Sequence, residues 1–155
     1  MIFVTLGTQD KSFKRLLDLI QEQIDNGTIN EKVIVQAGYT KFNSENMEIF
    51  DYIDNKKFNK LINECDLLIT HGGVGSILTG LKANKKIIAV PRLAKYKEHT
   101  NDHQLQIVNN FFNKGYILKA DNNDLGQAII KIKNFKQKKW KFNNENFLDK
   151  LKNYI

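Results

Sequence analysis

Cysteine and proline are nearly missing from this chain: one residue of each stands among 155. A lone Cys65 excludes an internal disulfide, so the fold must rest on an apolar core. Its apolar setting predicts a small buried residue rather than a nucleophile, and one free cysteine points to a reducing, cytoplasmic compartment. No stretch of 18 apolar residues occurs, which leaves no candidate membrane span. The opening Met1-Ile-Phe-Val-Thr-Leu-Gly7 lacks the basic leader of a signal peptide. Acid is scarce towards the end of the chain. From Lys131 to Lys152 there are eight lysines against Glu145 and Asp149, and this block holds +6 of the formal +7 charge. Such a tail suits an anionic surface, and it equally suits a solvated lysine-rich face.

What is present is ordinary for a soluble single domain: 41% hydrophobic and 26% charged residues over a length that can bury a core. Short β-rich runs alternate with helical periodicity. Strands are predicted at 2–6, 32–37, 47–52, 66–70, 86–90 and 116–119. A first helix, capped by Ser12, carries Phe13, Leu16, Leu17, Ile20 and Ile24. Asp54 caps a second, with Phe58, Leu61 and Ile62 inward, and a third runs to about Asn84. A fourth carries Leu105, Val108, Phe111 and Phe112. A fifth runs from Asp124 to about Phe135, and a last from near Asn144 to Tyr154. Continuous apolar strands separated by helices predict a doubly wound α/β domain with a mostly parallel, six-stranded, Rossmann-like sheet. Residues 1–135 form the domain, and 136–155 form a basic and aromatic helical extension packed on it, with Phe135, Trp140 and Phe142 among the lysines.

In such a sheet ligands sit beyond the carboxyl ends of the strands. The joint Ile69-Thr-His-Gly-Gly-Val-Gly-Ser-Ile77 lies there, between the fourth strand and its helix. Its glycines let a ligand approach the backbone, and unpaired N–H groups at a helix start suit a phosphate or diphosphate. The joint is neither a dinucleotide fingerprint nor a P-loop, and it follows the wrong strand for either. A second concentration of chemistry, Glu98-His-Thr-Asn-Asp-His-Gln104, suits hydroxyl-rich ligands. It serves as well as a polar loop capping the next helix through Asn101 or Asp102. Its near-contiguous spacing is poor for metal coordination, and no metal is expected.

The combination "THGGVGSI", "PR", "EHTNDHQ", "MIFVTLGTQ" and "QAGYTKF" resembles glycosyltransferase family 28, in its C-terminal, donor-binding half. It is most similar to PssE-type small subunits of bacterial capsule and exopolysaccharide glycosyltransferases. The catalytic subunit of the eukaryotic two-subunit UDP-GlcNAc transferase of the dolichol pathway looks more distantly related. The resemblance implies one half of a GT-B enzyme, whose acceptor-binding half is a separate membrane-anchored partner. It implies inverting transfer of a sugar from a UDP-sugar to a lipid-diphosphate-linked saccharide, with no cofactor, at the inner face of the plasma membrane. By the same resemblance Gly72, Gly73, Gly75 and Ser76 hold the diphosphate; the position of His71 just ahead of that loop favours facing the ligand, against the other reading of a core or helix-end histidine. Ile53 faces the uracil, Asp102, His103 and Gln104 address the sugar, and Gly7 and Thr8 line the cleft. Arg92 and His99 neutralise the leaving group, and His99 or His103 is a possible base if the partner does not supply it. Thr79 stands where many relatives place a ribose-binding glutamate. Other readings are a non-catalytic nucleotide-binding subunit that enhances a partner, and a self-sufficient enzyme on another nucleotide. A nucleic-acid role is not expected, because the basic block lies away from the glycine-rich joint.

Overall fold

A computed structural model describes residues 1–141 and 145–154; Phe142 and Asn144, which figure in the expectations above, lie outside the described residues. Six parallel strands form one sheet in the order β3-β2-β1-β4-β5-β6. They are β1 (Ile2–Thr5), β2 (Val33–Gln36), β3 (Met47–Phe50), β4 (Leu67–Thr70), β5 (Lys86–Ala89) and β6 (Leu118–Lys119). The chain reverses its direction of travel across the sheet between β1 and β4, and a crevice opens at such a switch point. This is the doubly wound arrangement predicted from the sequence.

Strand alternation splits the apolar residues between two faces. Ile2, Val4, Val33, Val35, Leu67, Ile69 and Ile88 join a cluster closed by α1 (Lys14–Asp25) and α5 (Leu125–Ile132). Phe3, Ile34, Leu68, Ile87 and Ala89 face the other side. There they meet α2 (Asn55–Glu64), α3 (Val74–Lys82), α4 (His103–Asn113) and α6 (Glu145–Leu151). Trp140, Phe147 and Leu151 pack into this second cluster, with the Phe147 ring 5.0 Å from that of Phe111. Cys65 is buried there, and burial raises its thiol pKa, as suits an inert core residue.

Three elements differ from the sequence reading. Ser12 does not cap α1; the helix begins after Phe13, whose N–H donates to Thr40 Oγ1 at 2.9 Å. No side chain caps this helix; Thr40, from a loop 27 positions away, instead anchors the backbone of the residue that precedes it. The sixth strand shrinks to two residues because the Tyr116 N–H goes to the Phe111 carbonyl and closes α4 instead of entering the ladder. The fifth helix ends at Ile132, although Phe135 still packs on the first cluster. Asp54 does cap α2, accepting from the Lys57 N–H at 2.7 Å.

Candidate functional site

A cleft of about 350 Å³ opens at the carboxyl ends of β1, β2 and β4. Its wall is the start of α3. Gly73 precedes the helix in extended conformation, and no side chain caps it. The first-turn N–H groups of a helix have no partner within it, and here they border open space. Gly73, Gly75 and Ser76 line the cleft together with Gly7, Thr8, Ile53 and His71, so seven of the predicted residues do meet in one place.

The glycines of the joint turn out to serve different purposes. A Cβ on Gly72 would lie 2.7 Å from Gln104 Cβ, and one on Gly73 would overlap the His71 ring. What approaches these two closely is the protein itself. Of the three, only Gly75 would have nothing within 4 Å of an added methyl, and so only Gly75 keeps space for a ligand.

His71 is buried, and its protonation follows from a chain of bonds. Gln104 Oε1 accepts from two main-chain donors, the Gly72 N–H at 3.0 Å and the Arg92 N–H at 3.1 Å. Two N–H donors can only be met by an oxygen, which fixes the carboxamide orientation. Gln104 Nε2 then donates to His71 Nδ1 at 3.1 Å. Nδ1 is an acceptor, so the proton of the neutral ring sits on Nε2, beside Gly7. Burial, then the nearby Arg92 charge, lowers the imidazole pKa to about 3. At neutral pH His71 is thus a hydrogen-bond donor towards the cleft and has no free nitrogen to act as a base.

The remaining predicted residues stand elsewhere. Gln104 does not reach a sugar: it is buried, and both ends of its amide are taken. Gly72 offers no amide for the same reason. Arg92 is fully buried, and its guanidinium donates to the carbonyls of Leu6, Lys11 and Glu98 over the Phe13 ring. Burial lowers its pKa to about 10, so it stays charged at neutral pH. It acts on the cleft as a fixed positive charge behind the loop after β1, not by contact with a leaving group. Asp102 Oδ1 accepts from the Ala94 N–H at 2.8 Å and does not cap α4; Asp102 is exposed and outside the cleft lining. Asn101 Oδ1 instead accepts from the His103 N–H. His103 is exposed, with its ring 5.9 Å from that of Tyr154. His99 is half-buried, and burial, then Arg92, lowers its pKa.

Thr5, Gln9, Gln36, Asn55 and Phe58 also line the cleft and were not singled out from the sequence. The available signal was a polar residue closing an apolar strand, Thr5 in "IFVT" and Gln36 in "VIVQ". A second cavity of about 290 Å³ lies at the same edge, near Pro91 and Ala120. Its Arg15 is already held by Glu98, the Pro91 carbonyl and Asn122. Among the described residues no group of three or more metal-ligating side chains occurs. Nor is any described helix long and apolar enough to cross a membrane.

A sequence model of the glycosyltransferase family 28 C-terminal domain matches residues 1–154. The chain belongs to that family. Among curated relatives of this family 28 chain is the UDP-N-acetylglucosamine transferase subunit ALG13 of Candida albicans. It is 29% identical over 92 residues, covering 59% of this chain and 30% of the relative. The Debaryomyces hansenii protein of the same name is 25% identical over 79% of this chain and 54% of its own length. The chain thus spans about a third to a half of these relatives. The solution structure of ALG13 superposes with a TM-score of 0.61 at 23% identity, covering 97% of this chain and 94% of that one. The glycosyltransferase SnogD of Streptomyces nogalater gives 0.54 at 22% identity, over 86% of this chain and 38% of that one. These likenesses carry the fold: a six-stranded parallel α/β unit of GT-B type.

Proposed function

We propose that this family 28 chain is the donor-binding subunit of an inverting, UDP-sugar-dependent glycosyltransferase that acts on a lipid-diphosphate-linked saccharide. The observation that carries the proposal is the uncapped start of α3, bordering a cleft at the sheet's switch point with the His71 Nε2–H beside it. Main-chain amides and a neutral imidazole donor suit the two phosphates of a nucleoside diphosphate, both when bound and as the leaving group gains charge. Arg92 adds a positive field from behind, and no metal or cofactor is needed for this role.

Among the described residues the cleft lining contains no carboxylate, and His71 carries its proton on the cleft side. A base for the acceptor hydroxyl therefore comes from outside the cleft: from His99 or His103 on the following loop and helix, or from a second subunit. This favours a two-subunit enzyme over a self-sufficient one. The partner would be membrane-anchored and bind the acceptor, with this chain at the cytoplasmic face of the membrane. The lysine-rich segment from Lys131 to Lys152 would lie towards the partner or an anionic leaflet. The curated relatives bear the name of a UDP-N-acetylglucosamine transferase subunit, which supports both the donor class and the subunit role. The PssE-type bacterial polysaccharide subunits are the proposed functional group.

The same absence of a cleft base keeps one alternative in play, a non-catalytic subunit that enhances its partner's own transfer. A thermal-shift screen of UDP-sugars tests donor binding, because a specific ligand raises Tm. Turnover is then assayed with this chain, its partner, and both. The proposal expects turnover only with both, falling at least tenfold with Ser76→Ala and Gly75→Val together. Full turnover by the partner in the presence of that variant would assign the chemistry to the partner.

A further inference from the structure

Gln36 ends β2 beneath the cleft, 5% exposed and beside Thr5 in the ladder. Thr5 is buried, and its hydroxyl hydrogen needs an acceptor; Gln36 Oε1 supplies it at 3.0 Å. Thr5 Oγ1 in turn lies 3.4 Å from the Gly7 N–H as its acceptor. These bonds fix which end of the carboxamide is oxygen. Nε2 is left with two hydrogens, no protein partner among the described residues, and a place in the cleft lining. The residue is almost wholly buried, yet its amide nitrogen is not sealed off and opens onto the cleft, where a residue kept for packing alone would be apolar, like its strand neighbours Val33, Ile34 and Val35.

The position of Gln36 says which part of a ligand it meets. The α3 amides follow β4, and β2 is two strands away across β1. Two strand spacings are roughly 10 Å, beyond the reach of one hydrogen bond. A ligand whose phosphates rest on α3 reaches Gln36 only with a portion extended across β1. The cleft wall on that side is Ile53, Asn55 and Phe58, which carry no charge. Neutral amides beside apolar walls suit a nucleoside, not a phosphate.

We propose that Gln36 is a nucleoside-binding residue, whose Nε2 amide donates to an acceptor oxygen of the nucleoside, a ribose hydroxyl or a base carbonyl. Thr5 is its positioning residue. The inference rests on the donor-binding reading above and adds a specificity contact to it.

The test is calorimetric titration of the full chain with UDP, 2′-deoxy-UDP and inorganic pyrophosphate. The wild type is compared with Gln36→Met and with the double variant Thr5→Val, Gln36→Met, which removes both hydrogen-bond partners together and guards against a fold defect from a stranded Thr5 hydroxyl. Both variants are expected to bind UDP about tenfold more weakly, the scale of one lost buried hydrogen bond, and pyrophosphate as well as the wild type does. If the acceptor is the ribose 2′-hydroxyl, the tenfold loss disappears with 2′-deoxy-UDP; if it is the 3′-hydroxyl or a base carbonyl, it persists. UDP binding of wild-type strength by either folded variant overturns the role of Gln36 and leaves the donor reading intact. Absence of UDP binding by the wild type removes the donor reading and this inference together.

Discussion

At the scale of single residues the joint after β4 separates two kinds of glycine. Gly73 cannot take a side chain without displacing His71, so Gly73→Asp would disturb the site's own architecture and is a poor probe of ligand contact. Gly75 is the clean one. Gly75→Ala removes backbone freedom from the unfolded chain at an open helical position, and Tm should rise by an amount equivalent to about 0.5–1 kcal/mol. The same methyl should weaken UDP binding; a variant that is more stable yet binds as before would argue that the cleft is not used. His71 offers a second prediction. Its folded pKa, about 3, lies below the unfolded 6.5, so the unfolded chain binds the extra proton between those values. Its contribution to stability is therefore complete above pH 6.5 and is lost as pH falls towards 3, at up to about 1.4 kcal/mol per pH unit. Denaturant melts across that window check the slope. Gln104→Glu should move the imidazole proton to Nδ1 and raise the pKa, which imidazole nitrogen shifts would show; an Nδ1–H ring in the wild type would refute the bond chain.

At the scale of elements, the loop from Pro91 to Thr100 makes hydrogen bonds of its own and is tied to α1 by a buried ion pair. Arg15 on α1 meets both oxygens of Glu98 at 2.9 Å, and Glu98 Oε1 also accepts from the Leu93 N–H. Glu98→Ala leaves a largely buried guanidinium unpaired, which costs about 3–5 kcal/mol, or roughly 10 °C in Tm by calorimetry. A shift under about 2 °C would mean the loop is anchored elsewhere. This pairing also shows where sequence reading stops. Glu98 was legible as part of a polar cluster, but its partner is 83 positions away, and no local pattern joins them. Arg92 and Gln104 failed for the same reason. Residue type and loop position suggested ligand contacts, whereas burial decides function, and burial depends on which strands become neighbours. The strands and most helices were legible because alternation and helical periodicity are local. The start of α1 was not, because Thr40, arriving from another loop, holds the Phe13 N–H just ahead of a helix that no side chain caps.

At the scale of the whole molecule, the sheet order sets everything else. Strands β1 and β4 lie side by side with their helices on opposite faces, and the crevice between them is floored by Thr5 and Gln36 and walled by α3. The partner proposed above would close over that same edge. The lysine-rich segment begins on α5 and continues beyond Trp140, which is packed on the second cluster. The most direct test is a titration of nitrogen-15-labelled chain with UDP, read by amide shifts. The α3 amides of Gly73, Val74, Gly75 and Ser76 should move together and saturate, with Gly72, already bonded to Gln104, moving least. Saturating shifts elsewhere, with those four amides unmoved, would contradict a diphosphate site at the start of α3.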